Sequence, residues 1–194
     1  MPVLDLSYPL NTETDIYSEA GYSDPSLTIA PWCEISDQGY RVSQLSLGTQ
    51  TGTHIDAPAH FDPEGQTLES LTPDALIGSY TLIDLRKGRC DIPPKADPIL
   101  LLDARNGATM TQFDLNTLFA LNSPVWVMAG YIEIQDTPSL EFHRQIAAAG
   151  IFLVEDLNMT SVDGSFPKTG EIIALPLRLE GTSGSPCRVL LRYI

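Results

Sequence analysis

The densest chemistry in this 194-residue chain lies in Gln50-Thr51-Gly52-Thr53-His54-Ile55-Asp56-Ala57-Pro58-Ala59-His60, where two of the three histidines and a carboxylate fall within seven positions. In an extended backbone successive side chains alternate between faces, so Gln50, Gly52, His54, Asp56, Pro58 and His60 share one side. An imidazole nitrogen and a carboxylate oxygen pointing together suit zinc or manganese. Pro58 cannot donate to a sheet ladder, so strand geometry ends near it and His60 reaches the site from a turn, as a ligand or a proton carrier. An isolated His-x-Asp would read as hydrogen-bonded side chains at a turn; the full eleven-residue string outweighs that reading.

Such a string needs a scaffold. Ser79 to Leu85, Ile99 to Leu102, Val125 to Ala129, Ile151 to Glu155, Ile172 to Leu179 and Arg188 to Ile194 are short apolar runs rich in β-branched and aromatic residues, mostly bounded by glycine, proline or asparagine, and they read as buried strands. Between two of them, Thr137-Pro138 followed by Leu140, His143, Ile146 and Ala147, with Gly150 as the stop, predicts a helix. A second helix is expected from Gln112 to Leu121 behind the capping candidate Thr111. Strand, helix, strand between Val125 and Glu155 implies a crossover with parallel pairing, while the early strands and the closing pair suit antiparallel joints. The expected fold class is therefore α/β, a mixed β-sheet core with a few flanking helices. With no repeat, low-complexity stretch or linker in view, residues 1–194 read as one compact domain.

Composition narrows the partners. Eleven basic against 25 acidic residues leave a formal charge of −14, which disfavours nucleic acid and anionic membrane surfaces. No apolar run approaches the roughly 20 residues of a membrane-spanning helix, and the N-terminus lacks the basic region of a secretory signal, so a cytoplasmic location is expected. Cys33, Cys90 and Cys187 are widely spaced and form no Cys-x-x-Cys pattern; they read as free, buried thiols. Trp32, Tyr40, Trp126 and Tyr131 could line an aromatic pocket, with Trp126 better placed in the core. His143, on the first of the two helices above, reads as a packing or surface residue. No Gly-x-Ser-x-Gly elbow or phosphate loop is present, so serine acyl transfer and nucleotide binding gain no support.

The string resembles the His-x-Gly-Thr-His-x-Asp-x-Pro-x-His signature of the kynurenine formamidase and cyclase family, with Gln50 in place of the first histidine. The resemblance extends to Leu4-Asp5-Leu6-Ser7-Tyr8-Pro9-Leu10, to Glu171-Ile172-Ile173-Ala174-Leu175-Pro176-Leu177 and to Gly181 to Leu190, and so spans nearly the whole chain. It implies a swivelling β/β/α-like domain and a divalent metal, zinc or manganese. Gln50, His54 and Asp56 would hold one ion. Asp156, in Glu155-Asp156-Leu157-Asn158, and Glu171 would contribute to a second bridged by Asp56. His60 completes the ligand candidates and, with Asp56 and Glu171, the catalytic ones. By the same resemblance the partners would be a small-molecule substrate and further copies of the chain, as a dimer or tetramer.

The implied activity is metal-assisted hydrolysis of an amide, N-formyl or lactone bond, or the reverse ring closure. Two replacements, Gln50 and Asp156 where relatives carry imidazoles, leave an oxygen-rich set that shifts preference toward manganese or magnesium. They also leave open a metal-independent cyclase or dehydratase, and a catalytically degenerate binding subunit.

Overall fold

Leu100 and Leu102 are fully buried against one face of their sheet, while Ile99 and Leu101 are buried against the other. A strand that is apolar on both sides has no solvent face to offer, so layers must cover it twice. In the computed structural model, which describes residues 1–88 and 91–193, that strand is central. Arg89, Cys90 and Ile194, and with them the expected burial of the Cys90 thiol and the end of the last expected strand, lie outside the described residues.

The strands are β1 (Val3–Asp5), β2 (Ser18–Glu19), β3 (Tyr22–Ser23), β4 (Thr28–Cys33), β5 (Val42–Ser46), β6 (His54–Asp56), β7 (Ile77–Asp84), β8 (Ile99–Met110), β9 (Val125–Ile134), β10 (Phe152–Glu155), β11 (Glu171–Pro176) and β12 (Gly184–Arg192). The α-helices are α1 (Ile35–Gln38), α2 (Pro73–Leu76), α3 (Gln112–Phe119) and α4 (Glu141–Ala148). Eight strands form one mixed sheet in the order β1-β12-β11-β7-β8-β9-β10-β6, and a further pairing of β12 with β6 closes it into a barrel of seven with β1 at its side. β7, β8, β9 and β10 run parallel, and β11, β12, β6 and β1 are joined antiparallel. The expected α/β class and the parallel β9-α4-β10 crossover are both present.

One core fills the barrel, around Ile55, Leu101, Val127, Val154, Ile172 and Val189. The other lies beneath α3 and α4, where Trp126 packs within ring-centroid distances of 5.7 Å of Phe119 and 6.4 Å of Phe142. Thr111 caps α3 as expected: it accepts from the Asp114 backbone, and the Asp114 carboxylate accepts from the Thr111 backbone in return.

Several boundaries differ from the sequence reading: α3 ends at Phe119 rather than Leu121, β11 ends at Pro176 rather than Leu179, and β12 begins at Gly184 rather than Arg188. β8 and β9 continue well past Leu102 and Ala129, their register shifting between Ala104 and Ala108. Gly130 permits this, because a Cβ there would stand 2.0 Å from the Ala104 carbonyl oxygen. α4 begins at Glu141 rather than behind Thr137, since Asp136 and Leu140 both take left-handed backbone and make residues 137–139 a turn. Thr137 donates its hydroxyl back to the Ile134 carbonyl at 2.9 Å instead of capping the helix.

Candidate metal and active site

β6 is only three residues long, yet it is held on both edges. His54, Ile55 and Asp56 pair with Glu155, Val154 and Leu153 of β10 on one side and with Pro186, Ser185 and Gly184 of β12 on the other. Ile55 enters the barrel core, so His54 and Asp56 turn to the opposite face, under α4. Residues directly opposite across an antiparallel pair share a face, and Glu155 therefore stands beside His54.

His54 Nε2 lies 3.5 Å from Asp56 Oδ1 and 3.3 Å from Glu155 Oε1. The other ring nitrogen, Nδ1, is 2.7 Å from the Gly52 carbonyl oxygen, a bond in which Nδ1–H donates, so Nε2 is the nitrogen turned toward the two carboxylates. Ligand atoms of His54, Asp56 and Glu155 all lie within 4.8 Å of one another. Donors sharing a tetrahedral ion at about 2.1 Å stand about 3.4 Å apart, so this trio fits a divalent cation.

Beyond Glu155 stands His143, from α4, with Nε2 3.1 Å from Glu155 Oε2. Its Nδ1 is buried without a partner among the described residues. Phe61 packs on His143 at 5.6 Å and on His60 at 4.5 Å between ring centroids.

The electrostatics fit a site built for positive charge. Burial works against protonation of His54, but the Glu155 bond and the Asp56 charge outweigh it and push its pKa up to about 10. Burial and the Glu155 charge push Asp56 up to about 7, against the pull of His54 and Gln50. Glu155 is held well below the usual carboxylate range: burial opposes ionisation, and the bonds from His143 and His54 overcome it. A cation here replaces the proton that these carboxylates otherwise compete for.

The sequence candidates divide. His54 and Asp56 sit at the centre. Gln50 is beside them, but its Nε2 donates to Asp56 Oδ1 at 3.2 Å while its Oε1 accepts from Thr49 at 2.5 Å; it holds the carboxylate rather than offering an oxygen to the ion. Asp156 takes left-handed backbone immediately after β10, which swings its largely exposed side chain to the rim, 3.8 Å from His54 Nδ1. The carboxylate this segment brings to the trio is Glu155, one residue earlier. His60, at the end of a 3-10 turn begun by Pro58, is exposed at the cavity mouth.

Glu171 is not brought to the cluster. It pairs with Arg192 and lies opposite Arg192 in the β11–β12 ladder, at the other end of β12 from the Gly184–Pro186 segment that meets β6. His143, expected in a surface or packing role, packs against Phe61 and Phe142, and α4 also presents its ring to Glu155 and the cavity. Glu155 left a trace in the sequence: it ends an otherwise apolar strand, where a carboxylate is out of place unless paired.

Above the trio opens a cavity of about 620 Å³. Its aromatic side chains are Tyr17, Tyr22 and Phe61; Trp32 and Tyr40 are exposed on the β4–β5 region, Tyr131 is exposed elsewhere, and Trp126 is in the core.

Three comparisons place this geometry among known proteins. The Cyclase family model matches residues 4–123. The chain is 30% identical to kynurenine formamidase of Bacillus cereus, over 98% of this chain and 97% of that protein, and 29% identical to kynurenine formamidase of Paracidovorax citrulli, over 97% and 95%. Isatin hydrolase A of Labrenzia aggregata superposes with a TM-score of 0.75 at 19% identity, over 98% of this chain and 93% of that one. Isatin hydrolase A of Ralstonia solanacearum gives 0.73 at 21% identity, over 98% and 91%.

Proposed function

The chain belongs to the Cyclase family, and on that premise we propose that it is a divalent-metal hydrolase opening an amide, N-formyl amide or lactone bond of a small carbonyl compound. The observation that carries the proposal is the convergence of His54, Asp56 and Glu155, from strands about a hundred residues apart in sequence, at the floor of one cavity.

His54 Nε2, Asp56 and Glu155 would hold the ion, and His143 Nε2, 3.1 Å from Glu155 Oε2, would keep that carboxylate in place. An ion held there supplies Lewis acidity toward the scissile carbonyl and a lowered pKa for water. Gln50 keeps one Asp56 oxygen in place. His60 accepts the proton of the attacking water and returns it to the departing nitrogen or oxygen. Partial burial lowers the His60 pKa below its usual 6.5, which favours the neutral ring, able to accept, at pH 7. Zinc and manganese both suit two carboxylates with imidazole.

A homo-oligomer and a cytoplasmic setting complete the proposal. The β4–β5 hairpin supports the first, with Trp32 72% and Leu45 60% exposed. The free thiols of Cys33 and Cys187 accord with the second.

Chelation and reconstitution test the reading. Hydrolysis of N-formyl arylamines or aryl lactones is expected to vanish with the metal and to return in proportion to metal restored. Full turnover by metal-free protein would favour the metal-independent cyclase or dehydratase instead.

A further inference from the structure

The hydrolase reading leaves the substrate class open, and the cavity wall bears on it. Above the trio, the segment running through the β2–β3 hairpin contributes Asp15, Tyr17, Glu19, Tyr22 and Asp24. Among the described residues, no lysine or arginine lines the cavity.

Six carboxylates thus face one space, in two tiers. Asp56 and Glu155 flank His54 Nε2, within reach of any ion held there, and Asp156 stands at the rim beside Nδ1. Asp15, Glu19 and Asp24 lie farther out: the Tyr22 hydroxyl donates to Asp24 at 2.6 Å, and the Glu19 carboxylate lies near enough to the Tyr17 hydroxyl to raise its pKa. Hydroxyl donors stabilise these carboxylates without cancelling their charge. The Asp24 charge reaches inward as far as His60. Between them the Tyr17 and Tyr22 rings stand 6.5 Å apart at 48°, both partly exposed, leaving ring faces next to unneutralised carboxylates. That combination recognises an organic cation, through the ring quadrupoles and the surrounding negative potential.

We infer that the cavity selects substrates bearing a cationic group, such as an alkylammonium, at the end remote from the scissile carbonyl. The cation lies against the exposed Tyr17 and Tyr22 rings within the field of Glu19 and Asp24, and the carbonyl faces His54, Asp56 and Glu155. Substrates with an anionic group at that end are rejected by the same wall. The chain's overall charge of −14 would repel anions from every face, whereas this preference depends on two named carboxylates.

Calorimetric titration of the metal-replete protein with phenyltrimethylammonium and, separately, benzenesulfonate tests the inference without requiring turnover. The ammonium is expected to bind about tenfold more tightly or better, with the advantage shrinking at high salt. In the Glu19→Gln/Asp24→Asn double variant it is expected to fall several-fold. Equal or tighter binding of benzenesulfonate, no binding of either probe, or an unchanged preference in the double variant would overturn it. An ammonium preference in a protein that hydrolyses no N-formyl amine or lactone would support the cavity inference and count against the hydrolase reading alone.

Discussion

At the mouth of the cavity, His60 has the one imidazole free to exchange protons with solvent while facing the cluster. Partial burial lowers its pKa from 6.5. A base of this kind is competent when neutral, so kcat/KM is expected to rise with pH through a value below 6.5 and level off before pH 7. His60→Ala should remove that acidic limb and cost about 10²- to 10⁴-fold in kcat; a pH profile of wild type and variant checks both. His54 and Asp56 were legible because they sit two apart in one strand, where alternation alone puts them on one face. Glu155 and His143 were not, because only the register of β10 against β6, and the packing of α4, brings them there. The choice between Glu155 and Asp156 turned on one residue: the strand ends between them, and the left-handed backbone at Asp156 sends its carboxylate to the rim. Glu171 shows the converse, a familiar segment whose carboxylate is committed to Arg192 far from the cluster.

Among the elements, β6 is the smallest that matters. Its pairing with β12 puts Gly184 directly opposite Asp56, where a Cβ would stand 2.6 Å from Gln50 Nε2 and 2.6 Å from the Ile55 carbonyl oxygen. A side chain could yield, but the carbonyl belongs to a strand held on both edges. Gly184→Ala is therefore expected to destabilise the fold by about 1–3 kcal/mol and to weaken metal binding by displacing Gln50 from Asp56. Thermal unfolding and metal titration of the variant read the two effects separately. The parallel strands and α3 were visible in sequence, since apolar runs bounded by breakers and a Thr-x-x-Asp cap are local signals. The distal halves of β8 and β9 were hidden, because the polar stretch after Leu102 breaks the apolar run and the ladder resumes only past an irregularity between Ala104 and Ala108. At the junction, the buried Asp103 is paired with both Arg86 and Arg105, which satisfies a carboxylate that could not otherwise sit there.

For the molecule as a whole, closure of the sheet by β12 and β6 joins the chain's last strand to the signature string, so the site depends on the entire fold being made. The β4–β5 hairpin stands apart from this body, paired only with itself in the sheet network and exposing Ile29, Trp32, Val42 and Leu45. Apolar side chains gathered on one hairpin need covering, and a second copy of the chain is the proposed cover. Light scattering is expected to give at least a dimer, and Trp32→Ser/Leu45→Lys to shift it toward monomer. Wild-type protein at the mass of a single chain would contradict the assembly.

Anomalous scattering from crystals grown with zinc or manganese tests the centre of this description most directly. A peak is expected about 2.0–2.2 Å from His54 Nε2 and from carboxylate oxygens of Asp56 and Glu155. No peak at that trio, or one held by Asp156 or Glu171 without Glu155, would show that the convergence of these three side chains is not a metal site.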